Sequence, residues 1–346
     1  MMEIEASLRA AAETGEFVSC DWGSTHFRLR AIRAGGRETV AEFRSDQGVA
    51  ALAQEANDRP RAERFRIALC QGLEQLGRQH HQETGRESLG GPVIISGMAS
   101  SSIGWHELPY AELPLWLSSV GLVWRALGPL YTPQGLRPVV LVSGARTDDD
   151  VMRGEETQAL GAFQLPSIKR LAAGALLILP GTHSKHIQID AGQIRGFRTF
   201  MTGELYDVLN QHSILRHSLD ASGTSVEVTE ESSAAFCEGV TRSAQIGLSA
   251  ALFRVRTRQI IDYCLAATNR AFLSGVLLGA ELAYLQATER SDRPILLCAT
   301  APLQTPYQAA CRALGLRQQI VTIAPDDVER LTALGQGVLL RQLGGI

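Results

Sequence analysis

No two cysteines in this 346-residue chain stand at C-x-x-C spacing, and no group of Cys and His has the spacing of a metal site. The six that occur, Cys20, Cys70, Cys237, Cys264, Cys298 and Cys311, are scattered, several inside apolar runs. They are expected to be reduced core thiols of a cytoplasmic protein rather than a disulfide framework. Dense Lys/Arg blocks are missing too, and the formal net charge is -3. That argues against nucleic acid or an anionic membrane surface as the main partner, while a small anionic ligand stays open because it needs only local donors. No apolar stretch reaches the length of about 20 residues that spans a membrane. Met1 to Glu16 alternates acids with alanines and lacks the basic region and apolar core of a signal peptide, so a short helix or a frayed extension is expected there.

What the chain does have is length for two domains, and 45% hydrophobic residues for a sizeable core. Its organising stretch is Phe17 to Arg30. A β-forming run enters Asp21, the chain turns through Gly23, and alternation resumes from His26 to Ile32, the pattern of a hairpin with polar groups at its tip. Such a tip suits phosphate: glycine lets the backbone approach an anion, Ser24 and Thr25 offer hydroxyls and amides, and Asp21 can hold magnesium directly or through water. An ordinary turn uses the same residue types. A Gly turn at Ala34 to Gly36 and a strand from Glu38 to Phe43 complete a meander. A helix over Ala62 to Arg78 then puts Phe65, Leu69, Leu73 and Leu76 on one face, before a polar loop from His80 to Gly91. Pro92 to Gly97 reads as a buried parallel strand ending in the small-residue loop Gly97 to Ser102, and ligands of open α/β sheets bind where such strands end. The continuation Ile103 to Tyr110 suits either the walls of a sugar-like pocket or a packed surface turn.

Pro138 to Gly144 is the next strand. Asp148 to Asp150 is expected to lead into a helix from about Val151 to Phe163, with Met152, Glu156, Ala159 and Phe163 on one side. The acids at its start either complement the helix dipole, worth roughly 0.3 to 1 kcal/mol, or supply a general base to a substrate hydroxyl. After Pro166 to Gly174 the opening pattern returns: strand Ala175 to Leu179, small-residue turn Pro180 to Ser184, strand Lys185 to Ile189, turn Asp190 to Gly192, strand Gln193 to Phe200. Two polar tips in matching positions are hard to obtain from turn chemistry alone, so the chain reads as a duplicated α/β domain holding a nucleotide's phosphates between its halves. The remainder is largely helical: Met201 to Gln211, Ser232 to Arg254, and Ser274 to Arg290 with Leu277, Leu278, Leu282 and Leu285 as a core stripe. A strand over Pro294 to Thr300, a helix over Tyr307 to Leu314 and a strand over Gln319 to Ile323 follow. In the closing helix, Asp326 to Leu343, the small residues of Ala333 to Gly337 permit close packing.

Asp21-Trp-Gly-Ser-Thr25, Gly97-Met-Ala-Ser-Ser101 with Gly104-Trp105 and Pro109-Tyr110, Val151-Met-Arg-Gly-Glu-Glu-Thr-Gln158, Leu179-Pro-Gly-Thr-His-Ser-Lys185 and the run Thr199 to Leu205 together resemble the 2-dehydro-3-deoxygalactonokinases. The resemblance covers about Phe17 to Leu343. It implies an α/β fold of two ribonuclease-H-like (actin-like ATPase) domains with an inter-domain nucleotide cleft, as in sugar kinases, actin and the heat-shock ATPases. Residues 1–16 would be an N-terminal extension, 17–165 the first domain with sugar-binding loops, and 166–346 the second with the other phosphate hairpin and the adenosine region. The implied reaction is ATP-dependent phosphorylation of the terminal 6-hydroxyl of 2-dehydro-3-deoxy-D-galactonate, with Mg2+. A kinase for the gluconate epimer is the neighbouring reading. A non-catalytic sugar-sensing protein on this fold is disfavoured by the lack of a helix-turn-helix extension or polymerisation insert.

Roles follow from the same resemblance. Gly23, Ser24 and Thr25 form the first phosphate hairpin, Gly181, Thr182 and His183 the second, and Asp21 organises the metal. Lys185 brings positive charge near the phosphates unless it is solvated. Thr300 belongs to the adenosine region, where Cys298-Ala-Thr-Ala-Pro302 lacks the glycine usual in this fold. Glu155 stands at the catalytic-base position, with Glu156 and Asp150 as alternatives. Arg153 is the first candidate for the sugar's carboxylate and Arg146 the second, each open to pairing with nearby acids instead. Met98, Ser100, Trp105 and Tyr110 would line the sugar site. A homodimer is compatible with this reading, and no nucleic acid or membrane partner is expected.

Overall fold

Period-2 alternation between short turns builds the start of the chain. In this computed structural model, which describes residues 2–54, 59–86, 90–118, 121–132, 135–219, 229–288 and 293–345, helix α1 (Met2–Thr14) precedes a meander of β1 (Phe17–Trp22), β2 (Phe27–Arg33) and β3 (Glu38–Ser45). Both pairings in the meander are antiparallel, with Trp22 opposite Phe27. Helix α2 (Val49–Gln54) is followed by α3 (Arg61–Thr84), which starts behind Pro60 and runs on to Gly85, whose left-handed backbone (φ 69°) caps it. The helix therefore ends later than its apolar stripe. Of the expected polar loop beyond it, residues 87–89 lie outside the described residues.

Strand β4 (Val93–Gly97) comes next, then the short strands β5 (Ala111–Glu112), β6 (Leu115–Trp116), β7 (Trp124–Ala126), β8 (Leu130–Thr132) and β9 (Gly135–Arg137). They lead to β10 (Val139–Val142), β11 (Ala145–Arg146), β12 (Val151–Met152) and α4 (Glu155–Ala162). The second meander is β13 (Gly174–Leu179), β14 (Ser184–Asp190) and β15 (Gln193–Phe200). Helices α5 (Thr202–His212), α6 (Glu230–Ile246), α7 (Leu248–Ile261) and α8 (Ala266–Thr288) follow, then β16 (Ile295–Leu297), α9 (Ala301–Ala313), β17 (Ile320–Thr322) and α10 (Pro325–Leu343).

The chain divides into two compact units. Met1–Ala173, Gln188–Phe197 and Asp326–Ile346 form the first, and Gly174–Ile187 with Arg198–Pro325 the second. The far end of the second meander thus groups with the first unit, where Gln193 and Ile194 pair with Trp116 and Leu115 of β6. The first unit's sheet has the order β3-β2-β1-β4-β10-β7, with β4 parallel to β1 and β10 parallel to β4. The sheet of the second meander has β17-β16-β13-β14-β15 followed by β6 at its edge, with β16 parallel to β13 and β17 parallel to β16. Counted from its own first strand, each sheet reads 3-2-1-4-5, so the duplication expected from the turns is present in the strand order of a ribonuclease-H-like fold.

The first core gathers Trp22, Phe27, Phe65, Leu69 and Leu73 between the sheet and α3. Trp22 stacks on Phe27 at 4.3 Å between ring centroids and meets Phe65 at 5.1 Å. Burying each such ring is worth roughly 1.5 to 3 kcal/mol. The second unit has one core of Leu176, Ile178, Leu282 and Leu285 under its sheet and another of Val255, Phe272 and Val276 among α6, α7 and α8. No described helix is long and apolar enough to cross a membrane.

Several boundaries differ from expectation, among them the start of α8, at Ala266 rather than Ser274. Val151 and Met152 are not helical: they pair antiparallel with Arg146 and Ala145, and the helix waits until Glu155 because Gly154 takes a φ of 114°. The single helix expected over Ser232 to Arg254 breaks at Gly247, whose φ of 82° and ψ of 158° no helix can hold. Helix α9 begins at Ala301 rather than Tyr307, with Pro302 in its first turn, where a missing N–H costs nothing. Glu289 and Arg290, the expected end of α8, lie outside the described residues.

Candidate functional site

The first hairpin tip is held from below and from the side. Buried Trp22 anchors it and donates from Nε1 to the Gln47 carbonyl at 3.0 Å. The Gly23 N–H closes the turn on His26 O at 2.9 Å, and the first amides of α2 dock on the tip, Val49 N–H to Gly23 O and Ala50 N–H to Ser24 O, both 3.0 Å. Ser24 and Thr25 are exposed. Half-buried Asp21 lies 3.6 Å from Arg28. Burial pushes its carboxyl above the ordinary value; Arg28 and Arg30 pull it down, and Glu155 and Glu329 push it up again.

Asp21 faces Ser96 of β4 in the strand register. Gly97, at the end of β4, has a φ of 100° and lies so close to β1 that a Cβ would stand 2.7 Å from Trp22 O. A Cβ on Gly154, at the head of α4, would in turn be 3.4 Å from the Gly97 Cα. The ends of β1 and β4 and the start of α4 therefore converge within the first unit. Glu155 Oε2 accepts the Arg153 N–H at 2.9 Å and the residue is half-buried. Glu156 is 1% exposed, with its two oxygens on the Gly154 N–H (2.8 Å) and Thr157 Oγ1 (3.0 Å). Burial, reinforced by the charge of Glu155, pushes its carboxyl up to about 7. Asp150 Oδ1 accepts the N–H of its own neighbour Val151 at 2.7 Å. Behind these acids Thr157 Oγ1 reaches Ser96 Oγ at 3.2 Å, and Gln336 of α10 donates to Cys20 O (3.0 Å) and Ser96 Oγ (3.1 Å).

The expected sugar-site residues form one cluster, but its cation is not an idle fork. Arg153 Nη1 donates to the carbonyl and hydroxyl of buried Ser100, both at 2.6 Å, and its guanidinium lies 4.0 Å over the Tyr110 ring. Arg146 is paired with Glu112 instead, as the sequence reading allowed. Half-buried Met98 opens the turn that contains Ser100. Trp105 is part of the core margin, 6.3 Å from both Phe65 and Trp22, because the residues after Gly104 fold back under the loop.

In the second unit Gly181, Thr182 and His183 form an exposed tip, and α5 docks on it as α2 docks on the first: Glu204 N–H donates to Thr182 O at 3.0 Å, and the Glu204 side chain meets the His183 ring. Lys185, one of only two lysines in the chain, is buried rather than solvated, with Nζ 2.8 Å from Thr199 Oγ1. Below the tip stands Glu281 of α8, 2% exposed. It accepts from Ser184 Oγ (2.7 Å), His186 Nε2 (2.8 Å), Tyr307 OH (2.9 Å) and Thr202 Oγ1. Burial pushes its carboxyl up, but the bond and charge of His186 and the bonds from Thr202 and Ser184 outweigh burial and hold it below the usual value. A cavity of about 450 Å³ opens among α5, α6, α8 and α9, lined by Tyr206, Phe236, Arg270, Ser274, Pro302 and Pro306. Arg270 is 7% exposed and its Nε has no hydrogen-bond partner. Exposed Thr300 stands at the N-cap position of α9 without a side-chain capping bond.

The sequence assigns no site role to Glu281, Tyr307 or Arg270 and does not point to the cavity. The available signal for Glu281 was an acid between Leu278 and Leu282 in an otherwise apolar stripe. Among the described residues no group of three His, Cys, Asp or Glu could hold a metal ion.

The chain matches the family described as 2-keto-3-deoxy-galactonokinase over residues 21–334. It is 34% identical over 310 residues to a Rhizobium meliloti protein named as a probable 2-dehydro-3-deoxygalactonokinase, covering 89% of this chain and 92% of the relative. It is 32% identical over 305 residues to the 2-dehydro-3-deoxygalactonokinase of Escherichia coli, covering 87% and 91%. Among solved structures, a protein from Sinorhizobium meliloti, provisionally named a 2-dehydro-3-deoxygalactonokinase, aligns with a TM-score of 0.71 at 31% identity, over 94% of this chain and 95% of that one.

Proposed function

Because the chain belongs to the 2-keto-3-deoxy-galactonokinase family, we propose that it phosphorylates the terminal 6-hydroxyl of 2-dehydro-3-deoxy-D-galactonate with ATP, as a cytoplasmic enzyme of galactonate breakdown. The observation that carries the residue assignment is the convergence of Asp21, Gly97 and Glu155 at the ends of β1 and β4 and the start of α4.

Glu155 takes the proton from the attacking hydroxyl. It is the reachable acid of the three, since Glu156 is sealed by its two local hydrogen bonds and Asp150 is turned onto its own loop. Phosphoryl transfer is otherwise positioning and charge neutralisation. In the first unit Ser24 and Thr25 donate to phosphate oxygens; in the second, Gly181, Thr182 and His183 form a tip of the same donor chemistry. Lys185, fixed on Thr199, adds positive charge from the buried side of its hairpin.

The donor set suits Mg2+, an ion that keeps several waters and is held by one or two carboxylates together with substrate phosphates; Asp21 is that carboxylate. When bound, the ion offsets phosphate charge. Met98, Tyr110 and the Ser100 turn face the sugar, and Arg153 contributes by fixing that turn and by its field on the substrate carboxylate. The nucleoside occupies the cavity bordered by Tyr206, Arg270 and Pro302, with Thr300 at the head of α9.

Release of ADP from ATP in the presence of a panel of 2-keto-3-deoxy acids tests the reading. Turnover greatest with the galactonate epimer is expected. Greater turnover with the gluconate epimer would reassign the substrate, and no turnover across the panel would overturn the kinase reading.

A further inference from the structure

Glu281 gathers three segments of the second unit, β14, α5 and α9, that would each handle a different part of the nucleotide, yet it touches no solvent-facing surface itself. Ser184 is the residue on which the chain leaves the phosphate tip, and His186 continues that strand into the core. Thr202 opens α5, whose first turn docks on Thr182 O through Glu204 and whose chain reaches the cavity wall at Tyr206. Tyr307 sits on α9 directly after Pro306, another wall residue. All four side chains end on one carboxylate.

A buried carboxylate is costly unless its lone pairs are filled, and here they are filled by groups from separate elements. Moving any one of those elements opens a hydrogen bond at a site that water does not reach. The hairpin tip and the cavity wall are thereby locked to each other through about 3 Å contacts on Glu281 rather than through the loops that join them.

Resting on the nucleotide assignment above, we propose that Glu281 is a positioning residue that sets the spacing between the phosphate hairpin and the nucleoside cavity, so that one ligand can fill both. The consequence is specific to ligands that span the two places. ATP uses the spacing; adenosine and inorganic tripolyphosphate each use only one end of it.

The test is calorimetric titration of wild type and Glu281→Gln with ATP, adenosine and tripolyphosphate, together with steady-state kinetics. Glu281→Gln keeps the shape and loses one acceptor. Affinity for ATP is expected to fall about tenfold, the size of a coupling of one to two kcal/mol, while adenosine and tripolyphosphate hold within about twofold and KM for the keto acid is unchanged. Tyr307→Phe, which removes a single donor, serves if the glutamine variant does not fold, and should show the same pattern at about threefold. Unchanged ATP affinity in the variant, or equal losses for all three ligands, would overturn the proposal. Failure of the wild-type protein to bind ATP would instead overturn the nucleotide assignment.

Discussion

Beneath the first hairpin tip lies Trp22, stacked on Phe27 and edged by Phe65 and Trp105; beneath the second lies Ser184, hydrogen-bonded to Glu281. Both tips are braced from the side by the first amides of a helix, α2 on one and α5 on the other. The same strand order thus supports two different undersides. An aromatic layer is non-directional and tolerates small shifts, whereas a four-fold hydrogen-bonded carboxylate fixes the angles of everything that meets it. The acids follow the division. Glu156 in the first unit is pushed up to about 7, and Glu281 in the second is held below its usual value, although both are buried. Glu156 has a like-charged neighbour, while Glu281 is surrounded by donors.

The largest effect that would sharpen this contrast is on chemistry. Asp21→Asn is expected to lower kcat by at least about a thousandfold, the scale of removing a preorganised charge from a phosphoryl-transfer site, with affinity for adenosine unchanged because the cavity belongs to the other unit. Turnover within tenfold of wild type would remove Asp21 from the reaction.

Next in size is a pH effect of opposite sign in the two units. A carboxyl raised to about 7 when folded binds its proton more tightly there than in the unfolded chain, so Glu156 costs stability progressively as pH rises from about 4.5 to 7, by roughly 3 kcal/mol in all. Glu156→Gln should therefore gain stability over wild type at pH 8 and lose that gain near pH 4.5, as read by urea unfolding. Glu281 has the reverse sign: its lowered value contributes stability that is present above the ordinary carboxylate pKa and is lost as pH falls through the folded one. A Glu156→Gln gain that does not change with pH would contradict the environment assigned to it.

Much of this arrangement was legible in the sequence because its causes are local. Alternation and short turns fix both meanders, and the matching tips point to the duplication seen as 3-2-1-4-5 in both sheets. What escaped depends on distant partners. Val151 and Met152 looked helical until Ala145 and Arg146 supplied a strand to pair with. Glu281 looked like one polar position in a leucine stripe because its partners lie 97, 95, 79 and 26 residues away. Arg153 is the sequence's first candidate for the sugar's carboxylate, yet its donors are turned onto the Ser100 turn, a contact across 53 residues. The small residues of α10 were legible as a packing face; their partners were not. Ala333 and Gly337 meet the turn of Gly35 and Gly36, and Gly335 meets α4, which also carries Glu155.

That contact supplies the third prediction. A Cβ on Gly335 would stand 1.9 Å from Thr157 O, so Gly335→Ala should force α10 away from α4 at a cost of about 1 to 3 kcal/mol and lower kcat while leaving ATP affinity alone. An effect on ATP affinity without one on kcat would reverse the division of labour. The smallest effect is expected from Arg146→Ala. Its ion pair with Glu112 is exposed, and such pairs contribute about 0 to 1 kcal/mol; thermal unfolding should barely move, and KM for the keto acid should stay within about twofold. A tenfold rise in KM would promote Arg146 to the carboxylate site.

Glu155 is where the proposed chemistry can be isolated from binding. Single-turnover phosphorylation of 2-dehydro-3-deoxy-D-galactonate by Glu155→Gln, measured beside its ATP affinity, should show at least about a hundredfold loss of rate, the contribution of a positioned base, with affinity within twofold of wild type. Near wild-type turnover in a folded Glu155→Gln protein would contradict the assignment and move the search for a base to Glu156 or Asp150.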